Sequence, residues 1–323
     1  LTGLSEAWSG TIHDTASTAC VVAMILARER ASELGKNAGG LQSAPAPLVV
    51  YTTSQAHSSV AKAVQLAGFG NDNLRLVDED PYTRAMLPSA LASAMEADLA
   101  AGRVPAGIVC SVGTTGTTAM DPVEAIAAIA NRHQTWLHVD AAMAGSAMLL
   151  PECRHLWQGV EQADSLAWNP HKWMGTILDT TVFYVRDVEF LERVMSTNPA
   201  YLRSAADGKV TQYRDWGIPL GRRFRALKLW FHLRLDGPDA IRQRLRRDLE
   251  NARWFRDQVE AAENWEVVAP VELQTVCIRH VPVDDSGVPL SGDALDAHTL
   301  GWLEKINASG KAFMSPSVLD GRW

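Results

Sequence analysis

The chain has 323 residues, of which 47% are hydrophobic and 21% charged, a globular composition with enough apolar material for a large core. The net charge of −7 and a pI near 5.7 argue against nucleic acid as the main partner, and no apolar run is long enough to span a membrane. The four cysteines do not occur in pairs at metal-ligand spacing, so the sequence predicts no metal site and favours a reducing, cytoplasmic setting over a disulfide scaffold.

Short apolar runs alternate with amphipathic stretches along the first half of the chain. In chain order, this pattern predicts helix Thr18–Ser32, loop Asn37–Pro47, strand Leu48–Tyr51, helix Ser58–Leu66, strand Leu74–Val77, helix Pro88–Ala100, strand Gly107–Ser111, helix Pro122–Arg132 and strands Trp136–Asp140, Ser165–Trp168 and Thr181–Val185. Strands that alternate with helices indicate βαβ units and a largely parallel sheet. The functional sites of such sheets lie at the carboxyl ends of the strands.

The pattern changes after Gly221. Arg222–Leu235 and Ala240–Ala262 are predicted as long amphipathic helices rich in arginine, and Trp265–Val281 alternates like one or two strands. We therefore expect a large domain at residues 1–234 and a smaller α+β domain at residues 235–323.

Two charged residues follow buried strands of the large domain. Asp140 ends an apolar strand, where an acid is costly to bury without a cationic partner, although it could equally cap the next turn. Lys172 lies between a histidine and a tryptophan, and partial desolvation there would favour its reaction as an amine. A single lysine is more often a solvated surface charge. Ala142, two residues after Asp140, is small enough to pack under a ring.

Three further segments have both a functional and a structural interpretation. His57 could stack on a flat ring or cap the helix that follows it. The run Asp14–Thr18 could bind phosphate at a helix N-terminus, or Ser17 or Thr15 could be a plain N-cap. The loop Gly113–Thr118 could let a cofactor approach closely or simply turn the chain.

Together these features fit the requirements of pyridoxal 5′-phosphate (PLP), which needs a lysine, a carboxylate for its ring nitrogen, donors for its phosphate and a flat neighbour. The runs Gln55–Ser59, His138–Ala142, Asn169–Trp173 and Ile218–Phe224 resemble those of the group II PLP-dependent amino-acid decarboxylases, the family of aromatic L-amino-acid decarboxylase. The match runs over Thr11–Phe231 almost without a break.

The resemblance implies an α/β fold, the type I, aspartate aminotransferase-like fold of PLP-dependent transferases, with a mostly parallel sheet flanked by helices. It also implies the site residues. The catalytic set is Lys172, which binds the cofactor covalently, Asp140, which pairs with the pyridine nitrogen, His57, which stacks on the ring, and Tyr201, a mobile-loop tyrosine that protonates Cα. The remaining cofactor contacts are Ala16, Ser17 and His171 at the phosphate, and Thr115, Ala142 and Asn169 near the ring.

The resemblance further implies decarboxylation of an L-amino acid to its amine and CO₂ by a homodimer with the active site at the interface. The favoured substrates are Tyr, DOPA, Trp and Phe, although Met143 stands where the animal enzymes commonly have tyrosine. Relative to the family, we expect that an N-terminal segment and the extreme C-terminus are missing.

Four alternatives are open. An aldehyde synthase would decarboxylate and then oxidatively deaminate, but His57 and Tyr201 are the residues of plain decarboxylation. A decarboxylase of a non-aromatic amino acid, such as Glu or His, would share the same motifs. An inactive interaction module with the PLP fold would be free to lose Lys172 or Asp140, and both are present. An aminotransferase would need an arginine for the substrate carboxylate.

Overall fold

The computed structural model describes residues 1–197 and 209–323. These residues form two compact units, one of residues 1–115 and 119–245, the other of residues 116–118 and 246–323. Tyr201 lies outside the described residues. The domain boundary expected between residues 234 and 235 stays a prediction.

The described residues of the first unit form seven strands and most of the helices. In chain order these are β1 (Ser9–His13), α1 (Ala16–Ala31), β2 (Leu48–Thr52), α2 (Ser59–Leu66), β3 (Leu74–Leu76), α3 (Pro88–Ala100), β4 (Val104–Ser111), α4 (Val123–Arg132), β5 (Trp136–Asp140), β6 (Ser165–Trp168), β7 (Thr181–Val185), α5 (Val188–Met195), α6 (Ala226–Leu235) and the start of α7 (Pro238–Glu260). The second unit contains the rest of α7, the antiparallel pair β8 (Trp265–Val267) and β9 (Ile278–His280), and α8 (Gly292–Ala308).

The seven strands of the first unit form one sheet in the order β1-β7-β6-β5-β4-β2-β3. Strands β3, β2, β4, β5 and β6 are parallel, and β7 runs antiparallel to both of its neighbours, β6 and β1. Every residue of β2, β5 and β6 is buried, as expected for strands covered by helices on both faces. The predicted mostly parallel sheet flanked by helices is confirmed.

Helix α1 is the central helix of the core on one face of this sheet. Its sequence is apolar through most of its length, so nine of its residues are buried. Thr15 begins the helix as N-cap, since its Oγ1 accepts the N–H of Thr18 at 3.5 Å. Arg28 and Arg30 in the last turn complement the helix dipole. The helix N-terminus is thereby fixed directly after β1, at the edge of the sheet where the parallel strands end.

The sequence analysis did not predict three of the described elements: β1, α5 and α8. None of the four cysteines forms a disulfide bond. Within residues 1–197 and 209–323, no helix combines the length and the apolar character that crossing a membrane requires.

Candidate active site

A pocket of about 180 Å³ lies where β2, β4, β5 and β6 end and α1 begins. It is lined by Thr15, Ala16, Ser17, His57, Ser59, Ser111, Gly113, Thr114, Thr115, Asp140, Ala142, Met143, Asn169, His171 and Lys172. All of the predicted site residues within the described part of the chain are therefore brought together. This is the position that the topology of a parallel sheet favours for a ligand.

Lys172 lies in a tight turn that follows β6. Its backbone N–H donates to the carbonyl of Asn169, and its own carbonyl accepts the N–H of Gly175, each at 2.9 Å. Asn169 is 2% exposed, and its Oδ1 accepts the hydroxyl of Thr181 at 2.6 Å. Among the described residues, the Lys172 ammonium has no hydrogen-bond or ion-pair partner. The backbone of the turn is thus fixed while the amine stays available to a ligand.

Asp140 is 8% exposed at the end of β5. Its Oδ1 accepts the N–H of Ala142 at 3.0 Å, so the turn-capping interpretation holds. Within residues 1–197 and 209–323, no lysine, arginine or histidine forms an ion pair with it. Burial, and to a lesser extent the charge of Asp140, raises the pKa of the Cys20 thiol. The turn-capping interpretation is thus confirmed, and the pairing of Asp140 with a pyridine nitrogen stays a prediction.

His57 lines the pocket and lies two residues before Ser59, the first residue of α2. Its Nδ1 accepts the N–H of Ser59 at 3.1 Å and lies 2.8 Å from the Ser59 hydroxyl. Since Nδ1 is an acceptor, the proton of the neutral ring is on Nε2. The structural interpretation of His57 as a helix cap is correct, and it is compatible with a ring face turned to a ligand.

The other end of the pocket is suited to an anion. The first-turn N–H groups of Ala16 and Ser17 have no partner within α1, and the positive end of the helix dipole points the same way. Nδ1 of His171 lies 2.8 Å from the carbonyl oxygen of Thr180 and 2.9 Å from its backbone nitrogen. Burial lowers the pKa of His171.

The loop after β4 forms a further wall of the pocket. Gly113 has φ +83, and a Cβ there would lie 2.3 Å from the Cβ of Ala144, so only glycine fits. Oγ1 of Thr114 accepts the N–H of Ala119 at 2.9 Å. Thr115 is exposed at the rim of the pocket. The loop turns the chain, and its geometry is also compatible with the close approach of a ligand.

Sequence reasoning missed two serines of the lining, Ser59 and Ser111. The N–H of Ser111 donates to Oδ2 of Asp121 at 2.7 Å, and Oδ1 of Asp121 accepts the N–H of Met86 at the same distance. Burial raises the pKa of Asp121 to about 6. The only sequence signal for Ser111 was its place at the end of a predicted strand.

The profile described as "Pyridoxal-dependent decarboxylase conserved domain" matches residues 2–281. The chain belongs to the pyridoxal-dependent decarboxylase family, and its seven-stranded sheet flanked by helices is the type I fold of PLP-dependent enzymes. It is similar to a phenylacetaldehyde synthase of Arabidopsis thaliana, with 41% identity over 97% of this chain and 62% of the relative. It is also 40% identical to tryptophan decarboxylase 2 of Oryza sativa subsp. japonica, over 97% of this chain and 62% of that protein.

The fold comparison agrees. The crystal structure of Oryza sativa TDC with PLP and tryptamine matches with a TM-score of 0.91 and 38% identity, over 98% of this chain and 64% of that one. The chain thus spans about three fifths of the length of the curated relatives that it matches.

The pocket fits PLP on an observation independent of these relatives. PLP carries a basic ring nitrogen and a phosphate, so its site needs an acid at one end and N–H donors at the other. The buried carboxylate of Asp140 lacks a cationic partner within the described residues, and unpartnered helix N–H groups lie at Ala16 and Ser17. The amine of Lys172 lines the same pocket.

Proposed function

We propose that the protein catalyses PLP-dependent decarboxylation of an aromatic L-amino acid to the amine and CO₂. The observation that supports this most strongly is the pocket at the strand ends, where an amine, a buried carboxylate, an imidazole and a helix N-terminus meet. When bound, PLP supplies an electron sink for the pair of electrons left on Cα as CO₂ departs.

Each residue of the pocket has a part in holding the cofactor. Lys172 would bind it covalently through the free amine, and Asp140 would accept the hydrogen bond of a protonated ring nitrogen and keep the ring cationic. His57 would pack its ring against that of the cofactor. The N–H groups at Ala16 and Ser17, together with the imidazole of His171, would bind the phosphate.

Three residues complete the contact set. Ala142 would pack under the ring, Thr115 would lie beside it and Asn169 would lie close by. Tyr201 would donate the proton that Cα receives after CO₂ leaves, a role that rests on the family resemblance alone. Closure over the pocket would exclude water during this step.

The lining of the pocket favours an aromatic substrate. A glutamate side chain would need a cation to neutralise it, and the lining residues described include no arginine and no lysine other than Lys172. Met143 instead offers an apolar, adaptable surface. One relative is named for the decarboxylation of tryptophan and another for the synthesis of phenylacetaldehyde, and these two aromatic compounds support the same choice.

Two further properties belong to the proposal. We infer a homodimer with the active site at the subunit interface, from the family resemblance, and size-exclusion chromatography with light scattering tests it. We also infer a cytoplasmic setting, which four cysteines outside any disulfide bond favour.

The test is to reconstitute the full-length protein with PLP and supply a panel of L-amino acids: Tyr, DOPA, Trp, 5-hydroxy-Trp, Phe, His and Glu. Mass spectrometry then identifies amines and aldehydes. We expect an amine from an aromatic member. An amine from Glu or His alone would contradict the substrate class, and no product with PLP demonstrably bound would favour an inactive relative.

Aldehyde synthesis is the second candidate, because one relative is named phenylacetaldehyde synthase. The presence of His57 and Tyr201 favours plain decarboxylation. The same panel separates the two activities, since an aldehyde as the main product, formed with consumption of O₂, would establish the second.

A further inference from the structure

The turn that carries Lys172 is closed by its own backbone. Three hydrogen bonds of 2.9 Å do this, from Lys172 N–H to Asn169 O, Gly175 N–H to Lys172 O and Thr176 N–H to Pro170 O. These bonds fix the shape of the turn. The start of the turn is held to the sheet region through Asn169, which bonds to Thr181 and Ala142. The end of the turn is contacted by two helices late in the chain.

His232, on α6, anchors the end of this turn. Its Nδ1 lies 2.7 Å from Oγ1 of Thr176, and its Nε2 lies 3.1 Å from Oδ2 of Asp236. Burial lowers the pKa of His232, so the ring is neutral at pH 7. Nε2 also lies 3.5 Å from the Arg244 guanidinium, which is farther than the carboxylate of Asp236. The Asp236 carboxylate, as the nearer partner, takes the hydrogen bond of Nε2–H, which leaves Nδ1 to accept the hydroxyl proton of Thr176. Asp236 therefore selects the tautomer that holds the turn.

Arg244, on α7, makes a second anchor beside the first. Its guanidinium donates to the carbonyl of Met174 and lies 3.6 Å from the carboxylate of Asp236. The intervening Gly175 has φ +83, and a Cβ there would lie 3.3 Å from the guanidinium. A glycine at this position allows both the backbone conformation and the approach of the arginine.

We propose that His232, oriented by Asp236 and assisted by Arg244, is a positioning residue for Lys172. None of the three is among the described residues that line the pocket, so they act through the carbonyl of Met174 and the hydroxyl of Thr176, two and four residues after the lysine. A displacement of about 1 Å at a reacting group is costly, and residues behind the site prevent it. The part of this inference that concerns the cofactor rests on the proposed role of Lys172.

Two isosteric replacements of His232 make the test specific. In His232→Asn the side-chain oxygen falls near the position of Nδ1 and can still accept the Thr176 hydroxyl. In His232→Gln the amide reaches toward Asp236 instead and loses that bond. Thr176→Val removes the hydroxyl from the other side at nearly constant volume, and the double variant with His232→Gln completes a cycle.

Two readouts apply to the full-length protein, each taken well below the unfolding midpoint of every variant. Hydrogen exchange without PLP reports on the amides of Lys172, Gly175 and Thr176. Equilibrium binding of PLP, with borohydride trapping of the lysine-bound form, reports on the placement of the amine. A general loss of stability would lower the midpoint without selectively altering either readout.

For His232→Gln and Thr176→Val, we expect exchange at these amides about tenfold faster and a Kd for PLP about tenfold weaker. His232→Asn should stay near the unaltered protein, and the double variant should be no worse than either single one. Unchanged exchange in His232→Gln would overturn the inference, as would faster exchange with unchanged PLP binding. If the unaltered protein takes up no PLP, the proposed function fails, while the exchange data still decide whether His232 holds the turn.

Discussion

His57 accepts the backbone N–H of Ser59 through Nδ1 at 3.1 Å, so one imidazole both caps α2 and lines the pocket. The two roles use different parts of the ring. The cap needs only an acceptor atom at the position of Nδ1, whereas stacking on a cofactor needs the flat aromatic face. A substitution can therefore separate structure from function at this position.

We predict that His57→Asn keeps stability close to that of the unaltered protein and lowers kcat/KM for the amine product at least about tenfold. Asparagine retains an acceptor for the Ser59 N–H but lacks the aromatic face. His57→Ala should lose both, and its free energy of unfolding should fall by about 1 kcal/mol. Urea unfolding and steady-state kinetics measure the two effects. Equal activity of His57→Asn and the unaltered protein would refute a role in stacking.

Lys172→Ala should abolish covalent attachment of PLP and lower kcat by at least about a thousandfold, because the only amine described in the pocket is gone. The measurement is intact mass after borohydride reduction, together with visible absorbance. The matched control is Lys62→Ala, which removes an exposed lysine of α2. A reducible PLP adduct that survives in Lys172→Ala would assign the cofactor to another amine.

Asp140→Asn should fold normally, since the amide oxygen can still accept the N–H of Ala142. It removes the negative charge that would keep the cofactor ring protonated, so kcat should fall at least about a hundredfold. Kinetics and circular dichroism of the same preparation check both statements. Full activity in this variant would show that the charge of Asp140 is not used.

Acid should destabilise the fold partly through His138. This residue is fully buried on β5, its Nδ1 lies 2.9 Å from the Ser165 hydroxyl, and burial lowers its pKa to about 4. Its unfolded pKa is near 6.5, so between these values the unfolded chain binds a proton that the folded chain excludes. The stability conferred by His138 is therefore present above pH 6.5 and is lost as the pH falls toward 4.

The measurement is urea unfolding of His138→Gln at pH ~7 and pH ~4.5. We expect the variant to lose less stability over this interval than the unaltered protein, by up to about 3 kcal/mol. The control is His155→Gln, an exposed histidine. Other buried histidines also destabilise the fold as the pH falls. If His138→Gln and the unaltered protein lose equal stability between the two pH values, His138 in particular is not a source of the acid destabilisation.

The position of the candidate site was predictable because a parallel sheet places its strand ends along one edge. Asp140 and Lys172 were identified by the strands that precede them, and both line the pocket. Ser59 and Ser111 were not, since serine is common at turns and only packing brings them to the pocket. The role of His232 was not predictable from the sequence for a related reason. Its contact with Thr176 depends on how α6 packs, which no local pattern encodes.

Two of the three elements missed in the fold, β1 and α8, have weak local signals. β1 reads Ser9–His13, with a single strongly apolar side chain, and it becomes a strand by pairing with β7, where Thr11 lies opposite Phe183. α8 contains a glycine in its middle and buries only Leu303 among its side chains. Tertiary pairing outweighs local preference in such segments.

The placement of β7 next to β6 has a consequence for the order in which the protein folds. These strands are joined by the segment that carries Lys172. The turn at Lys172 and the pair of strands β6 and β7 are therefore close along the chain, and they can form as a local unit. The pairing of Ser9 with Val185 instead closes a loop of most of the first unit, which is slow because of its entropy. α1 follows β1 directly, so we expect the anion-binding end of the pocket to be completed late, and PLP to be captured by chains that have nearly finished folding.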